Sequence, residues 1–407
     1  MSRLFAFSFL PCLTETADAT PTRVNEFTFE MERKVPKTME KKHEKIKVLS
    51  LFSGCGGLDL GFEQVGDYET VWANDINEWA VKTFRRHFGD VITSENIEKI
   101  EPDTDKSIPD CDLIIGGFPC QDFSIIWKQP GLNGDRGSLY KNFLRFIAAK
   151  NPKAFVAENV KGLLTANDGR AIKQIIEDFS KIVPGYMVKM QLYNFAEYGV
   201  PQYRERVLLV GIRLDTGFNF VHPAPTHGPR GKKPYVTVGD AFKNVEKVHA
   251  NNEHMNITEK TKKRLEKISE GGNFTDIPKN DPLYVKGMIS HVYRRVHRNE
   301  PSTTIIAAGG GGTWGYHYPE PRPLTNRERA RIQTFPDNFI FEGSITEVRR
   351  QIGNAVPPKG VSLVAKELKP LFFGEYKKVD IRTINEKLQK MSIKERLEYD
   401  YKQREEK

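Results

Sequence analysis

Three short segments carry side chains that could act together on one substrate. Cys120 follows an apolar run and a pair of glycines, Glu158 ends a second apolar run, and Arg204 and Arg206 stand just before a third. A thiol becomes a nucleophile when nearby positive charge lowers its pKa, although a lone cysteine is more often a small buried hydrophobic residue. The carboxyl and guanidinium groups favour the first interpretation and predict one cleft for covalent and acid–base chemistry.

A glycine-rich turn indicates a ligand site at the same place. Residues 49–58 run from an apolar segment into Ser53-Gly54-Cys55-Gly56-Gly57, and Asp75 ends the next apolar run. Glycines at a strand-to-helix turn let the backbone approach a ligand closely, and an acidic residue one strand further on can accept hydrogen bonds from ribose hydroxyls. Dinucleotides and S-adenosylmethionine both offer such hydroxyls. The spacing is not GxGxxG, so a nicotinamide cofactor is disfavoured but not excluded.

Alternating strands and helices must position these groups. Short apolar runs alternate with helical periods, which is typical of a doubly wound α/β sheet that binds ligands at the carboxyl ends of its strands. The predicted strands are 47–52, 71–73, 113–115, 154–157 and 207–212. The predicted helices are 58–65, 77–88, 138–149, 171–182, 258–269, 326–334 and 361–371.

Composition changes after this alternation, because residues 217–323 are rich in Pro, Gly, Asn and Thr. We therefore predict a smaller, mostly irregular or β domain inserted into the α/β domain, and two ends that look dispensable. The predicted parts are an N-terminal extension (1–45), the first part of the α/β domain (46–225), the insert (226–323), the return segment of the α/β domain (324–375) and a charged C-terminal tail (376–407).

Charge is concentrated in the insert. The 407 residues hold 62 Lys and Arg against 53 Asp and Glu, a net charge of +9, and residues 221–330 hold 18 of these cations and 11 of the anions, an excess of seven. A solvated surface would explain such a cluster, but so would a polyanionic partner. No apolar run is long enough to span a bilayer. Four cysteines without zinc-site spacing predict no metal and a reducing, cytoplasmic location.

Five motifs occur in a fixed order along the chain. They are Phe52-Ser53-Gly54-Cys55-Gly56-Gly57, Pro119-Cys120-Gln121, Glu158-Asn159-Val160, Gln202-x-Arg204-x-Arg206 and Gly353-Asn354-Ala355-Val356-Pro357-Pro358. Together they resemble the bacterial DNA (cytosine-5)-methyltransferases, the methylases of type II restriction-modification systems. The resemblance covers about residues 46–373 and implies a Rossmann-like sheet that uses S-adenosylmethionine to methylate carbon 5 of a cytosine flipped out of duplex DNA.

The resemblance also implies catalytic roles. Cys120 would add to carbon 6 of the cytosine, Glu158 would act as a general acid at N3, and Arg206, supported by Arg204, would hold the O2 edge.

A cofactor pocket is implied as well, with Phe52 against the adenine, Asp75 on the ribose and Asn354 closing the far side. The full set of implied cofactor residues is Phe52, Ser53, Gly54, Gly56, Gly57, Leu58, Asp75, Ile76, Asn96, Ile97, Pro119, Asn354, Ala355 and Val356. Asn96 stands where the family commonly has Asp, and it could still bind an adenine amino group through its carbonyl oxygen.

The family places its target-recognition domain in the insert. The expected DNA contacts are Gln121, Ser124 and Trp127 in the loop after the nucleophile, and Lys232, Lys233, Arg294, Arg295 and Arg298 in the insert. Trp127 replaces a Gly of many relatives, so it either contacts DNA or packs on the protein. Gly309 to Gly312 could bring the backbone close to DNA or form a turn.

The expected enzyme is a monomer that protects DNA from a cognate restriction endonuclease. Three alternatives stay open from the residues: an RNA (tRNA) cytosine methyltransferase, a catalytically silent DNA-binding protein and a nonspecific nucleic-acid binder. The order of residues in the insert contains no readable code for the DNA sequence that is recognised.

Overall fold

A mixed seven-stranded sheet organises the chain. The computed structural model describes residues 44–119, 139–286, 292–307 and 315–405. The strands are β1 (Ile46–Leu51), β2 (Tyr68–Asn74), β3 (Ile92–Thr93), β4 (Leu113–Gly116), β5 (Ala154–Val160), β6 (Tyr186–Asn194) and β7 (Glu205–Arg213), in the spatial order β3-β2-β1-β4-β5-β7-β6. β1 to β5 pair in parallel, and β7 runs antiparallel to both β5 and β6.

Helices cover both faces of this sheet. The helices of the described residues are α1 (Gly57–Glu63), α2 (Glu78–Phe88), α3 (Leu139–Lys150), α4 (Arg170–Lys181), α5 (Val238–Ala241), α6 (Glu259–Glu266), α7 (Asn326–Ile332), α8 (Ile345–Asn354), α9 (Pro358–Phe373), α10 (Ile381–Gln389) and α11 (Ile393–Glu405). None of these helices is long and apolar enough to cross a membrane.

Alternate residues of each central strand enter different hydrophobic clusters. In β4, Leu113 and Ile115 pack with α1 and α9, whereas Ile114 packs with α3 and α4 on the other face. All three residues are fully buried, as expected for a parallel strand that is covered on both sides. The prediction of a doubly wound α/β sheet is therefore confirmed.

Two buried elements were not predicted from the sequence. β6 includes Lys189 and Gln191 among its apolar residues, and both are buried. α8 is amphipathic, yet it buries the long polar side chains of Arg349 and Gln351. Buried polar residues obscure the apolar periodicity on which a sequence-based prediction depends.

The C-terminal segment is more than a charged tail. Residues 376–407 were expected to be dispensable, but α10 packs against the sheet through Ile381 and Leu388, which are both 1% exposed, and Tyr399 of α11 packs against the same cluster. Asp400 of α11 forms a buried ion pair with Lys189 of β6, with 2.8 Å between Oδ1 and Nζ. Removal of one partner from such a buried pair strongly destabilises the folded protein, because the remaining charge has no partner. The segment therefore contributes to stability.

The described part of residues 226–323 is mostly irregular. It contains α5, α6, two 3₁₀ turns (Val245–Lys247 and Phe274–Asp276) and isolated bridges such as Arg295 to Tyr316. Residues 45–407 form one compact unit. The boundaries of a separate domain at 226 and 323 stay a prediction.

Candidate active site

The parallel strands bring several of the predicted site residues to one edge of the sheet. Phe52 follows β1, Asp75 follows β2, Gly117 follows β4, and Glu158 lies near the end of β5. Because carboxyl ends of parallel strands meet at the same edge, residues far apart in the chain become neighbours. This edge is the candidate active site.

The glycine-rich turn after β1 is fixed by Asp75. The backbone N–H of Gly54 donates to Asp75 Oδ2 over 2.8 Å, and that of Asn77 donates to Oδ1 over 2.8 Å. Ser53 donates from its hydroxyl to Asn74 O over 2.9 Å, which joins the ends of β1 and β2. Burial raises the pKa of Asp75, while these backbone donors oppose the shift. Each carboxylate oxygen still has a lone pair that can accept a ligand hydroxyl.

Open space and apolar surface adjoin this turn. Gly54 has a φ of +57°, and no described atom lies within 4 Å of where a Cβ would stand. The side chain of Ile76, next to Asp75, is 70% exposed. An exposed apolar side chain beside a hydrogen-bonding carboxylate fits a ligand with an aromatic base and ribose hydroxyls, as S-adenosylmethionine has. The predicted cofactor roles of Phe52, Asp75 and Ile76 stay predictions.

The motif near the C-terminus closes on the glycine turn. A Cβ on Gly57 would lie 2.5 Å from Val356 O, so only glycine allows this approach. Val356 is 8% exposed, whereas Asn354 is exposed at the end of α8. The predicted cofactor residues at the two ends of the chain are thus brought together.

Three predicted cofactor residues have other partners. The side chains of Leu58 and Ile97 are 5% and 4% exposed and belong to the hydrophobic core. Asn96 caps a 3₁₀ turn through Oδ1, which accepts from Glu98 N over 3.1 Å, and its Nδ2 donates to the Glu98 carboxylate. Core packing occupies the side chains of Leu58 and Ile97, so any cofactor contact from these two residues would come from their backbone, and their cofactor roles stay predictions. An adenine contact from Asn96 would have to compete with Glu98.

Glu158 and Arg206 form the central polar pair of the edge. Arg206 Nε lies 2.8 Å from Glu158 Oε1, and the two side chains are 14% and 12% exposed. The antiparallel register of β5 and β7 sets Val160 opposite Arg206, which brings the guanidinium beside the carboxylate. Arg206 also donates to Glu205 O over 2.7 Å. A charge-assisted bond of this kind fixes the orientation of both groups.

Two further residues position this pair and the segment that leads to Cys120. A Cβ on Gly117 would lie 2.9 Å from Glu158 Oε2, so glycine leaves room for the carboxylate. Asn159 is buried and donates from Nδ2 to Phe118 O over 2.8 Å. Asn159 lies within a quoted motif and Gly117 is one of the two glycines before Cys120, but spacing alone did not show that they are positioning residues.

Four predicted residues lie outside the described part of the chain. These are Cys120, Gln121, Ser124 and Trp127. Pro119, which precedes them, is exposed at the active-site edge.

Arg204 has a different role from the one predicted. It is 1% exposed, and its guanidinium donates to Ile305 O over 3.2 Å and to Gly353 O over 3.0 Å. Burial, with a smaller effect of Arg206, lowers the pKa of Arg204 to about 9. Its two terminal nitrogens donate to backbone carbonyls and the side chain is buried, so the structure corrects the prediction of a catalytic contact and gives Arg204 a structural role.

The predicted DNA contacts of the insert separate into two groups. Lys232 and Lys233 are exposed, whereas Arg298 pairs with Glu270 over 3.0 Å and Arg294 donates to a backbone carbonyl. Arg295 is 8% exposed, and its guanidinium binds four backbone carbonyl oxygens, those of Leu265, Ile268, His317 and Tyr318. The prediction that Arg295 contacts DNA is wrong, because its donors are used inside the protein. Gly309 to Gly312 lie outside the described residues.

Comparison with known proteins identifies relatives of this arrangement. The sequence profile of the C-5 cytosine-specific DNA methylases matches residues 46–370. The Neisseria gonorrhoeae Type II methyltransferase M.NgoFVII is 68% identical over 340 residues, which are 83% of this chain and 90% of the relative. The Aeropyrum pernix DNA (cytosine-5-)-methyltransferase M.ApeKI is 33% identical, over 80% of this chain and 98% of the relative. The structure of the Entamoeba histolytica methyltransferase EhMeth has the same fold, with a TM-score of 0.59 and 19% identity over 82% of this chain and all of that one.

Proposed function

Because this chain belongs to the C-5 cytosine-specific DNA methylase family, we propose that the carboxyl edge of its sheet is the methyl-transfer site, with Cys120 as nucleophile and Glu158 and Arg206 as its polar partners. The enzyme is a DNA (cytosine-5)-methyltransferase, and S-adenosylmethionine is its methyl donor. The observation that supports the assignment of residues is the Glu158–Arg206 pair, held 2.8 Å apart beside the segment that leads to Cys120.

Cys120 starts the chemistry. Carbon 5 of cytosine is a poor nucleophile, so a thiolate adds to carbon 6 and pushes electrons of the ring toward N3 and carbon 5. Carbon 5 would then bond to the methyl group that the donor supplies, as the bond between that methyl group and the donor's sulfur breaks. A water molecule or a base in the cleft takes the carbon 5 proton, and the S–C6 bond breaks, which restores the ring and the thiolate. Such covalent catalysis divides one difficult step into two easier ones.

Glu158 and Arg206 support this addition by stabilising charge. A carboxyl group hydrogen-bonded at N3 supplies or shares a proton as electrons move there, which is general acid catalysis. Arg206 orients that carboxyl group through its Nε, and its remaining N–H donors can polarise the O2 edge of the ring.

The cofactor pocket uses residues from both ends of the catalytic domain. S-adenosylmethionine supplies an electrophilic methyl group. Phe52, Asp75 and Ile76 would hold its adenosine part, with Gly54 leaving space for it. Asn354 and the neighbouring Val356, placed against Gly57, would close the pocket. The exposed Ile76 and the carboxylate of Asp75 support this assignment.

The finer functional context is also a proposal. We infer that residues 226–323 recognise a short duplex site, that a cognate restriction endonuclease cleaves the same unmethylated site, and that the enzyme acts as a cytoplasmic monomer. Relatives named as Type II methyltransferases support the pairing with an endonuclease. One catalytic edge per chain supports the monomer.

The nucleophile can be tested with a matched cysteine. Cys120→Ser removes the proposed thiolate, so incorporation of labelled methyl groups into unmethylated genomic DNA should fall below detection while S-adenosylhomocysteine still binds. Cys111→Ser is the control, because burial raises the pKa of that free thiol to about 12 and keeps it protonated. Equal turnover of the Cys120→Ser variant and the wild-type enzyme would refute the assignment.

A further inference from the structure

Two buried glutamines join the base side and the cofactor side of the cleft. Gln202, two residues before Arg204, and Gln333, the residue after α7, are both fully buried. Gln202 Nε2 donates to Gln333 Oε1 over 2.8 Å, and Gln202 Oε1 accepts from Ile305 N over 2.8 Å. A buried amide is costly unless its donors and acceptors are paired. This pairing therefore fixes the distance between the end of α7 and the segment around Ile305 in the insert.

Gln333 also holds the end of α8. The last carbonyl groups of a helix have no partner within the helix. Gln333 Nε2 donates to Ile352 O over 2.6 Å and to Ala355 O over 3.1 Å. Between them, Gly353 O accepts from Arg204 Nη2 over 3.0 Å. Two side chains thus hold consecutive carbonyls of the turn that forms the far wall of the cofactor pocket.

The turn at the end of α8 also lies directly against residues 305–307 of the insert. Arg204 Nη1 donates to Ile305 O over 3.2 Å. Both the backbone N–H and the backbone C=O of Ile305 are therefore bound by side chains of the motif that contains Arg206. A Cβ on Gly353 would lie 2.5 Å from the carbonyl carbon of Ile306 and still closer to the backbone of Ala307. The backbone of this segment therefore lies against the turn with no room for a side chain.

We propose that Gln333 is a positioning residue for methyl transfer, which with Gln202 and Arg204 forms a brace that couples residues 302–307 of the insert to the proposed cofactor pocket at residues 352–356. The proposal rests on the proposed function of this edge. Gln333 touches neither substrate. It acts by keeping the α8 turn, and with it Asn354 and Val356, in register with Ile305.

Coupling of this kind is reciprocal. If DNA binding orders residues 302–307, the hydrogen bonds of the brace also order residues 352–356. DNA then increases the affinity for the cofactor by a coupling factor. Thermodynamic linkage then requires the cofactor to tighten DNA binding by the same factor. Loss of the brace should reduce both factors toward one.

The variants are chosen to separate positioning from simple stability. Gln333→Met keeps the length of the side chain and removes its hydrogen bonds, and Gln202→Met removes the bond between the two glutamines from the other side. Gln351→Met is the matched control. Gln351 lies in α8 and, like Gln333, is buried, and it donates to Glu342 O over 2.8 Å and accepts from Thr83 Oγ1. It removes similar bonds without touching the brace.

Two measurements are made on each full-length variant. Steady-state methylation of unmethylated genomic DNA gives KM for S-adenosylmethionine and kcat separately. Isothermal titration with S-adenosylhomocysteine, with and without a duplex carrying the methylated site, gives the coupling factor, and the converse titration checks reciprocity. Thermal unfolding ranks the variants by stability.

For Gln333→Met we expect KM for S-adenosylmethionine to rise roughly tenfold, the worth of about one buried hydrogen bond, while kcat changes by less than about threefold. The coupling factor should fall toward one, and the Gln202→Met/Gln333→Met double variant should add little to either single change. If Gln333→Met fails to fold, the same loss of coupling is expected from Gln202→Met.

Some results would overturn the brace alone. Gln333→Met and Gln202→Met could behave like Gln351→Met in KM and in coupling, or the wild-type enzyme could bind S-adenosylhomocysteine equally well with and without DNA. Either result contradicts the coupling while methylation persists. Loss of methylation in the wild-type enzyme itself would instead contradict the proposed function.

Discussion

Arg206 at the carboxyl edge of the sheet and two buried arginines of residues 226–323 are used in different ways. At the edge, Arg206 stays partly accessible and pairs with the Glu158 carboxylate. In residues 226–323, Arg264 and Arg295 are buried and donate to backbone carbonyls. Lys232 and Lys233 are exposed.

The difference shows that the formal charge of a segment does not measure its contacts with DNA. Residues 221–330 hold an excess of seven positive charges. A buried guanidinium adds to the long-range field, but it cannot reach a phosphate. In a region with little regular secondary structure, few carbonyl groups are paired within helices or strands. Buried arginines supply the hydrogen bonds that these carbonyl groups would otherwise lack.

The largest expected effect lies at the catalytic edge. Glu158→Gln keeps the shape of the side chain but removes the carboxyl group that pairs with Arg206. Turnover should fall on the order of 10²- to 10⁴-fold, the range typical for loss of a general acid, with DNA affinity nearly unchanged. Methyl incorporation and gel-shift titration measure the two quantities.

Glu205→Gln is the matched control for that experiment. Glu205 is adjacent to Arg206 but pairs at the surface with Lys161, 2.9 Å away. Its loss should leave turnover close to that of the wild-type enzyme, because exposed pairs contribute little. A similar loss of turnover in both variants would mean that general electrostatics, rather than the Glu158–Arg206 pair, drives the reaction.

A second pair of variants tests the two uses of cations in the recognition region. Arg295→Met leaves four backbone carbonyls without their donor, so urea denaturation should show a loss of about 3 kcal/mol in the free energy of unfolding. Lys233→Met should change that free energy by less than about 0.5 kcal/mol. It should instead weaken DNA binding and lower the slope of log affinity against log salt by about one.

The opposite pattern would refute the distinction. If Arg295→Met unfolded like the wild-type enzyme yet lost DNA affinity with a reduced salt slope, its guanidinium would be a phosphate contact. If Lys233→Met left the salt slope unchanged, Lys233 would not be a phosphate contact.

Asp59 extends the comparison to a buried carboxyl group of the α/β domain. It lies in α1 just after the glycine turn, fully buried, and accepts from Thr70 Oγ1 over 3.3 Å. Burial raises the pKa of Asp59 to about 7. Unlike Glu158, which has Arg206 beside it, Asp59 has no described cation beside it to stabilise the charged form.

Asp59→Asn should therefore make stability less sensitive to pH. Between the ordinary pKa of an aspartate and about 7, the folded protein binds more protons than the unfolded chain, so stability falls as pH rises through this range. Relative to the wild-type enzyme, the asparagine variant should gain roughly 1 to 3 kcal/mol between pH 5 and pH 8. Urea denaturation at both pH values measures this difference, and an equal difference at the two values would contradict it.

Much of the active-site edge could be predicted from sequence, because its residues follow short strands. Glu158 and Arg206 come together since β5 and β7 pair, and the motif that contains Val356 reaches Gly57 through α9 packing on α1. Apolar runs and glycine turns are local signals, and the rules of parallel sheets convert them into neighbours.

Other features depend on partners that no local pattern shows. Arg204, Arg295 and Gln333 bind backbone carbonyls, and a carbonyl group is the same in every residue. β6 was not predicted because it contains the charged residue Lys189. The buried partner of Lys189 is Asp400, which is 211 residues away in the chain. Burial of a charged residue by such a distant partner is visible only once the fold is known.

The most direct test of the account is to identify the residue that becomes covalently linked to DNA. A duplex carrying 5-fluorocytosine at the methylated position traps the adduct, because fluorine cannot leave carbon 5 as a proton does. Digestion and mass spectrometry of the trapped complex should find the nucleotide on the peptide that contains Cys120. A nucleotide on Cys55 or Cys111, or turnover without any adduct, would contradict the central claim that Cys120 is the nucleophile of this edge.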